Sequence, residues 1–278
     1  MLRELTADNI DLGQAGAIYG TSMTRKEKLL KIETIKVSCQ NCSLSDLCLT
    51  HGMDTDEISE LDKILKRQQP YQPGQHLFHA GDKSSAIFAV RSGALKTYCL
   101  TEDGDEQVLG FALPGELVGL DGLADENFSS TSVALETSSV CELPFNQLED
   151  LCHRLPGLQK QMMRLLGKEI KSDQHLLMML GQRSAEERLA SFLLGLSTRY
   201  KARGLSAKEF NLPMSRQDIG NYLGLAIETV SRTFAHFQEE KLLTVNRRQI
   251  MILDHAGLES IVDGCTGIIA KPAQQGQG

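Results

Sequence analysis

The sequence predicts an α+β chain in three parts: an all-β sandwich or barrel, a long amphipathic helix, and a winged helix-turn-helix. Three observations carry that expectation. Between Pro70 and Leu143, eight glycines separate short apolar runs of strand length, the pattern of an antiparallel sandwich or barrel. From Pro156 to Gln182, apolar residues recur every three or four positions along one line, a helical period. From Ser215 to Phe237, two short helical patterns meet at Gly224, as in a helix-turn-helix.

Composition narrows the function classes. At 278 residues the chain has room for two ordinary domains, and 41% hydrophobic residues can build real cores. There is no Trp, and aromatics reach only 5%, which argues against an aromatic cage or a base-stacking platform. The N-terminus has charges where a signal peptide needs an apolar run. No stretch approaches the roughly 20 apolar residues of a membrane span. A cytoplasmic location with no membrane partner is therefore expected.

Three of the seven cysteines fall within ten residues, as Cys39-x2-Cys42-x5-Cys48. An odd number of close cysteines leaves one unpaired, so disulfides explain the cluster poorly, and a reducing compartment favours metal ligation. Soft thiolates suit zinc or an iron–sulfur cluster, and either normally takes four protein ligands. A fourth must come from elsewhere. Spacing alone does not choose among Cys99, Cys141, Cys152 and Cys265.

In chain order, residues 1–22 read as a mobile leader, with Met23 a plausible native start. After the cysteine loop, Glu57 to Leu65 shows helical spacing. Strands are expected at His76–His79, Ala86–Val90, Ala94–Tyr98, Gln107–Phe111, Thr131–Leu135 and Ser139–Leu143, and Pro144 opens a helix. On the long helix, Met162, Leu166, Ile170, Asp173, Leu177 and Leu180 form one stripe. Packing on its own β-domain would bury part of it, but a coiled-coil-like homodimer seam is the simpler partner. Asp173 is the lone charge on the line. Facing its own copy, it would hold the dimer weak enough to switch. Ser184-Ala-Glu-Glu187 is a capping box that starts the next helix.

The C-terminal third carries the DNA-binding signal. Residues 199–248 hold nine Lys or Arg against five acids, or +4, within a chain of net charge −7. Such a basic module suits an anionic partner. In a helix-turn-helix the second helix lies in the major groove, which places Glu228, Thr229, Ser231 and Arg232 at base edges. Arg can bond guanine O6 and N7, and Glu can accept from cytosine N4. A solvated Glu228–Arg232 pair is the bland alternative. Ser215 and Arg216 open the first helix and complete the candidate contact set. Leu243–Ile252 alternates around a polar turn, a β-hairpin wing.

Together, Cys39-x2-Cys42-x5-Cys48, Pro114-Gly-Glu-Leu-Val-Gly, Ser215-Arg-Gln-Asp-Ile-Gly-Asn-Tyr-Leu-Gly-Leu and Glu228-Thr-Val-Ser-Arg232 resemble the catabolite activator/FNR superfamily. The cysteines resemble its oxygen-sensing branch, the fumarate and nitrate reduction regulators. The resemblance covers about residues 24–255. It implies a cupin-like jelly roll, or antiparallel β-roll, within a sensor domain at 23–155. A dimerisation helix at 156–183 and a winged helix-turn-helix domain with its tail at 184–278 would follow. It also implies a 4Fe–4S cluster rather than zinc, with Cys141, just before Pro144-Phe145, as fourth ligand. The implied function is a global regulator whose anaerobic dimer binds inverted TTGAT-like repeats at promoters, works with RNA polymerase, and loosens in oxygen.

Two departures stand out. Relatives often carry Thr or Ser where Ala226 stands, so the reading helix lacks a cap oxygen. Cyclic-nucleotide binders of the superfamily pair the phosphate with an arginine, whereas the matching stretch here is Asn127-Phe-Ser-Ser-Thr, so no cyclic nucleotide is expected. No Walker A loop, G-x-G-x-x-G, His-Glu-x-x-His or G-x-S-x-G occurs, which argues against an enzyme. A zinc-stabilised or small-molecule-responsive regulator of the same superfamily remains the alternative.

Overall fold

The computed structural model describes residues 38–263; the leader and Cys265 lie outside them. After the cysteine loop, helix α1 (Thr55–Ile64) opens with a reciprocal Asp54–Glu57 capping box. Eight strands follow: β1 (Lys66–Arg67), β2 (His76–Phe78), β3 (Ala86–Ser92), β4 (Leu95–Leu100), β5 (Glu106–Ala112), β6 (Leu117–Val118), β7 (Thr131–Ala134) and β8 (Ser139–Pro144). They form two antiparallel four-stranded sheets, ordered β1-β8-β3-β6 and β2-β7-β4-β5. The six expected strands are present. β1 and β6, two residues each, are too short to leave a period in the sequence.

Residues of both sheets meet in one core, where Phe78 stacks on Phe128 at 3.9 Å and on Phe88 at 5.9 Å. Strand β3 is buried on both faces. Phe88 and Val90 belong to this inner core, while Ile87 and Ala89 pack outward against α1, the cysteine loop, α2 (Phe145–Arg154) and the start of α3 (Pro156–Gln182). That is why the β3 sequence reads as a continuous apolar run.

Helix α3 starts with Pro at its first turn, where a missing N–H costs nothing. Its exposed apolar residues are Met163, Ile170, Leu177 and Met178. Met163, Ile170 and Leu177 are seven apart, so with Leu166, Asp173 and Leu180 they occupy the a and d positions of a heptad. One residue differs from expectation. Met162, placed on the stripe by its four-residue spacing to Leu166, is 4% exposed and packs in the core with Leu61 and Leu158. Met163 takes its place, because the β-domain claims the face bearing Leu158 and Met162.

The C-terminal unit comprises α4 (Ala185–Ala202), β9 (Glu209–Asn211), α5 (Arg216–Leu223), α6 (Ile227–Glu239), β10 (Leu243–Asn246), β11 (Gln249–Ile252) and α7 (His255–Asp263). Ser184–Glu187 and Ser215–Asp218 form the capping boxes of α4 and α5. Helix α5 ends at Gly224, whose φ of 62° lets the chain turn sharply into α6. Strands β10 and β11 pair as a hairpin around Arg247-Arg248, with β9 on its other edge. Phe237, fully buried, anchors this unit's core with Leu189, Leu193, Val230 and Ile250. The same core extends to Tyr98, Val108 and Phe111 of the β-roll, so the helix-turn-helix is docked on the second sheet.

Candidate metal centre and DNA-reading helix

Cys39, Cys42, Cys48 and Cys141 line a single cavity walled mainly by Leu44, Leu49, Leu65 and Ala89. Cys39 sits in a short 3-10 turn, Cys39–Asn41, capped by Ser38. Cys141 reaches the same cavity from β8, opposite Arg67 on β1 and Ala89 on β3. Cys99 lies on β4, with its thiol toward the Ser129 carbonyl, and Cys152 packs against the α2 side of the core. Neither faces the cavity.

The loop is tied down at three places. Asp62 Oδ1 accepts from the Cys39 amide at 3.0 Å and from the Arg67 guanidinium. Gln40 Nε2 donates to the Thr55 carbonyl at 3.2 Å. Gln161, a 3% exposed side chain on α3, donates through Nε2 to the Cys48 carbonyl at 2.8 Å. The cysteine loop thus hangs directly on the long helix.

The thiols lie in poor surroundings for a bare anion. Burial, with Asp62 adding to it, pushes Cys39 up to about 12, and burial pushes Cys48 to about 12. Burial likewise raises Cys141. Thiolates would form there only against a strong positive charge, which a metal centre supplies. Arg67 Nη2 lies 3.4 Å from Cys39 Sγ, and Arg67 Nε is buried without a hydrogen-bond partner among the described residues. An orphaned donor beside two thiols is what a sulfur-rich anionic centre would satisfy. No three His, Cys, Asp or Glu groups among the described residues converge on a point that could hold a single ion. The donors ring a cavity instead. Its space is about 30 Å³, enough for water. Four thiols and an unpartnered guanidinium N–H are a donor set that suits a thiolate-bound metal centre.

On α6, Glu228, Ser231 and Arg232 are exposed and Thr229 is half-buried. Arg232 Nη2 contacts Thr229 Oγ1 at 3.3 Å, not Glu228, leaving both charged groups available. Ala226 caps α6 with no side-chain bond, as its lack of a hydroxyl dictates. Ser215 exchanges hydrogen bonds with Asp218. Arg216 lies 3.5 Å over the Phe234 ring, where burial draws its pKa down to about 10. Arg216 thus helps pack α5 on α6. At the wing tip, Arg247 and Arg248 are exposed.

Sequence reasoning missed the contacts between the reading unit and the β-roll. Lys96 on β4 bridges Glu106 at 2.6 Å and Asp218 of α5 at 2.9 Å. Gln107 Nε2 donates to the Asn221 carbonyl at 2.9 Å, and Phe111 packs on Tyr222 with ring centroids 5.4 Å apart. Lys96, Asp218, Gln107 and Asn221 look like ordinary surface residues in their own segments, and 122 positions separate Lys96 from Asp218.

Two family models match, a Crp-like helix-turn-helix domain over residues 187–261 and a cyclic nucleotide-binding domain over residues 68–154. The transcriptional activator protein FnrA of Stutzerimonas stutzeri is 49% identical over 238 residues, covering 84% of this chain and 98% of the relative. The fumarate and nitrate reduction regulatory protein of Escherichia coli is 47% identical over 225 residues, covering 81% and 90%. The chain belongs to the fumarate and nitrate reduction (FNR) family. Among solved structures, FixK2 from Bradyrhizobium japonicum superposes with a TM-score of 0.66 at 27% identity, covering 71% of this chain and 97% of that one. As an FNR-family member the chain is a DNA-binding transcription regulator, with α5 and α6 as its helix-turn-helix. Among the described residues, no helix is long and apolar enough to cross a membrane.

Proposed function

We propose that this FNR-family regulator senses oxygen through a 4Fe–4S cluster held by Cys39, Cys42, Cys48 and Cys141. The observation that carries the reading is the meeting of these four thiols, 93 residues apart at the widest gap, around one cavity beside Arg67. Bound there, the cluster would supply oxygen-labile iron–thiolate bonds that staple the loop to β8.

The chain's own residues do the rest. Gln161 and Gly157 on α3 hold the Cys48 carbonyl and the Glu57 carboxylate, so loop position bears on the long helix. The exposed heptad of Met163, Ile170 and Leu177 pairs with a second copy, and Asp173 at a d position keeps that pairing adjustable. A two-fold dimer presents two α6 helices roughly 34 Å apart, one turn of an inverted repeat. Glu228, Ser231 and Arg232 read the bases of TTGAT-like half-sites, Thr229 supports them, and Ser215, Arg216 and the wing arginines meet phosphate. RNA polymerase is the partner through which the bound dimer would act, from a cytoplasmic location.

A cyclic nucleotide is not the signal. Phe78, Phe88 and Phe128 fill the roll's interior. Asp121 Oδ2 accepts four hydrogen bonds from the amides and hydroxyls of Ser129 and Ser130, at 2.8–3.1 Å. A carboxylate held in that stretch repels a phosphate where a binder needs a cation.

Anaerobic purification tests the proposal. The expected protein is brown, with about four iron and four sulfide per chain, and binds an inverted-repeat duplex before but not after air. Colourless zinc protein, or equal binding in both states, refutes it.

A further inference from the structure

The turn joining β5 to β6 touches both the cysteine loop and the DNA-binding unit. On one side, Gly115 has φ +90°, and a Cβ there would stand 2.9 Å from Leu47 Cβ, so the loop rests directly on this backbone. The Gly115 amide donates to the Val90 carbonyl at 2.7 Å, and the Val90 amide donates to the Glu116 carbonyl at 2.9 Å. Val90 also lines the cysteine cavity.

On the other side, Glu116 gathers two arginines from the C-terminal unit. Arg199 Nε donates to Glu116 Oε1 at 3.0 Å, and its Nη2 donates to Oε2. Arg203 Nη2 donates to Oε1 at 2.8 Å, while Arg203 Nε donates to the Pro114 carbonyl at 2.7 Å. The Leu113 amide completes the carboxylate's shell at 2.9 Å. The Arg203 side chain is 5% exposed and that of Glu116 22%. Charges this sequestered are costly to leave unpaired, so the turn and the two arginines move together.

We propose that Glu116 is a positioning residue that passes the state of the cysteine loop to the DNA-binding unit. It sets the orientation of α6 by a route separate from the dimer helix. The signal it carries rests on the cluster reading above. Lys96–Asp218 and Gln107–Asn221 are the second anchorage of the same docked unit. Docking orients the reader and does not mask it, because Glu228, Ser231 and Arg232 stay exposed in the docked arrangement.

The test uses the full-length anaerobic protein with Glu116→Gln and, separately, Arg199→Lys, which cannot make the two-pronged contact. Four quantities are read: the visible spectrum, the dimerisation constant, the thermal midpoint, and the Kd for an inverted-repeat duplex at fixed salt. The expected result, read well below the thermal midpoint, is a Kd raised by about tenfold and a reduced difference between cluster-loaded and air-exposed forms, with spectrum and dimerisation constant unmoved and the thermal midpoint lowered by the lost pairing but the fold retained. Parental Kd and air response in both variants overturn the proposal. So does a loss of DNA binding matched in both by loss of cluster, dimer or fold, since that is a structural role only. If the parent itself binds equally before and after air, the oxygen reading fails by itself. Glu116→Gln must then still weaken DNA binding for the positioning role to stand.

Discussion

Replacing Gln161 with Met probes the link between the cysteine loop and α3. Met keeps the length and volume of the side chain but deletes its donor. The Cys48 carbonyl loses the 2.8 Å bond from Gln161 Nε2 yet keeps one from the His51 amide at 3.2 Å. Arg164 loses a 3.3 Å acceptor but is exposed and turns to water. Because the carbonyl is not orphaned, the loss belongs at the low end for a buried hydrogen bond, about 1 kcal/mol. Confined to the loop, that makes its opening about fivefold more frequent. Native-state amide exchange reads it directly: the Cys48 and His51 amides should exchange about five times faster, while those of β3 and β4 stay put. Unchanged exchange at Cys48 would refute the reasoning. So would acceleration spread evenly over the β-roll, because the bond would then not be a local tether.

Arg232→Ala should weaken binding to the specific duplex by about 1–3 kcal/mol and relax selectivity at one base pair; competition at fixed salt checks it, and equal loss on every sequence would mark a phosphate contact instead. Asp173→Ala removes the one acid from the a and d positions 163, 166, 170, 173, 177 and 180 and should tighten self-association in sedimentation equilibrium, whereas an unchanged constant removes Asp173 from the seam. The Lys96–Asp218 and Glu116–arginine pairings should themselves persist between about pH 5 and 8. Burial alone would raise both carboxyls, but Ser215 and Lys96 hold Asp218, and Arg199 and Arg203 hold Glu116, below the usual carboxylate range. Folded pKa values lowered in this way leave the contribution complete at neutral pH and remove it only as pH falls through those values. A change in docking inside the window, followed by crosslinking Lys96 to Asp218, would contradict the assignment.

Much of this molecule was legible in local sequence. The capping box at Ser184, the Ser cap at Ser215, the turn at Gly224 and the wing around Arg247 each declare themselves within a few residues, because caps and turns obey short-range rules. The cysteine loop announced its three thiols for the same reason. Cys141 did not: nothing in Ser-Val-Cys-Glu-Leu distinguishes a cavity-facing thiol from the strand residue Cys99, and only family resemblance selected it. Met162 was misplaced because helical spacing alone cannot say which of two adjacent faces a neighbouring domain claims. Glu116, Lys96 and Gln161 were invisible for a related reason. Their partners lie 83, 122 and 113 positions away, and a charge or amide that finds its partner across the fold looks like any solvated side chain.

The three stacked phenylalanines inside the roll have a consequence for how such a scaffold can be driven. A receptor with an empty heart is completed by its ligand, and its melting point and breathing report occupancy. Here Phe78, Phe88 and Phe128 already fill that place. On the oxygen-sensing proposal, the stimulus would then act from the cysteine loop, outside that packed interior. A displaced cysteine loop would press on β3, whose other face is already packed by those rings.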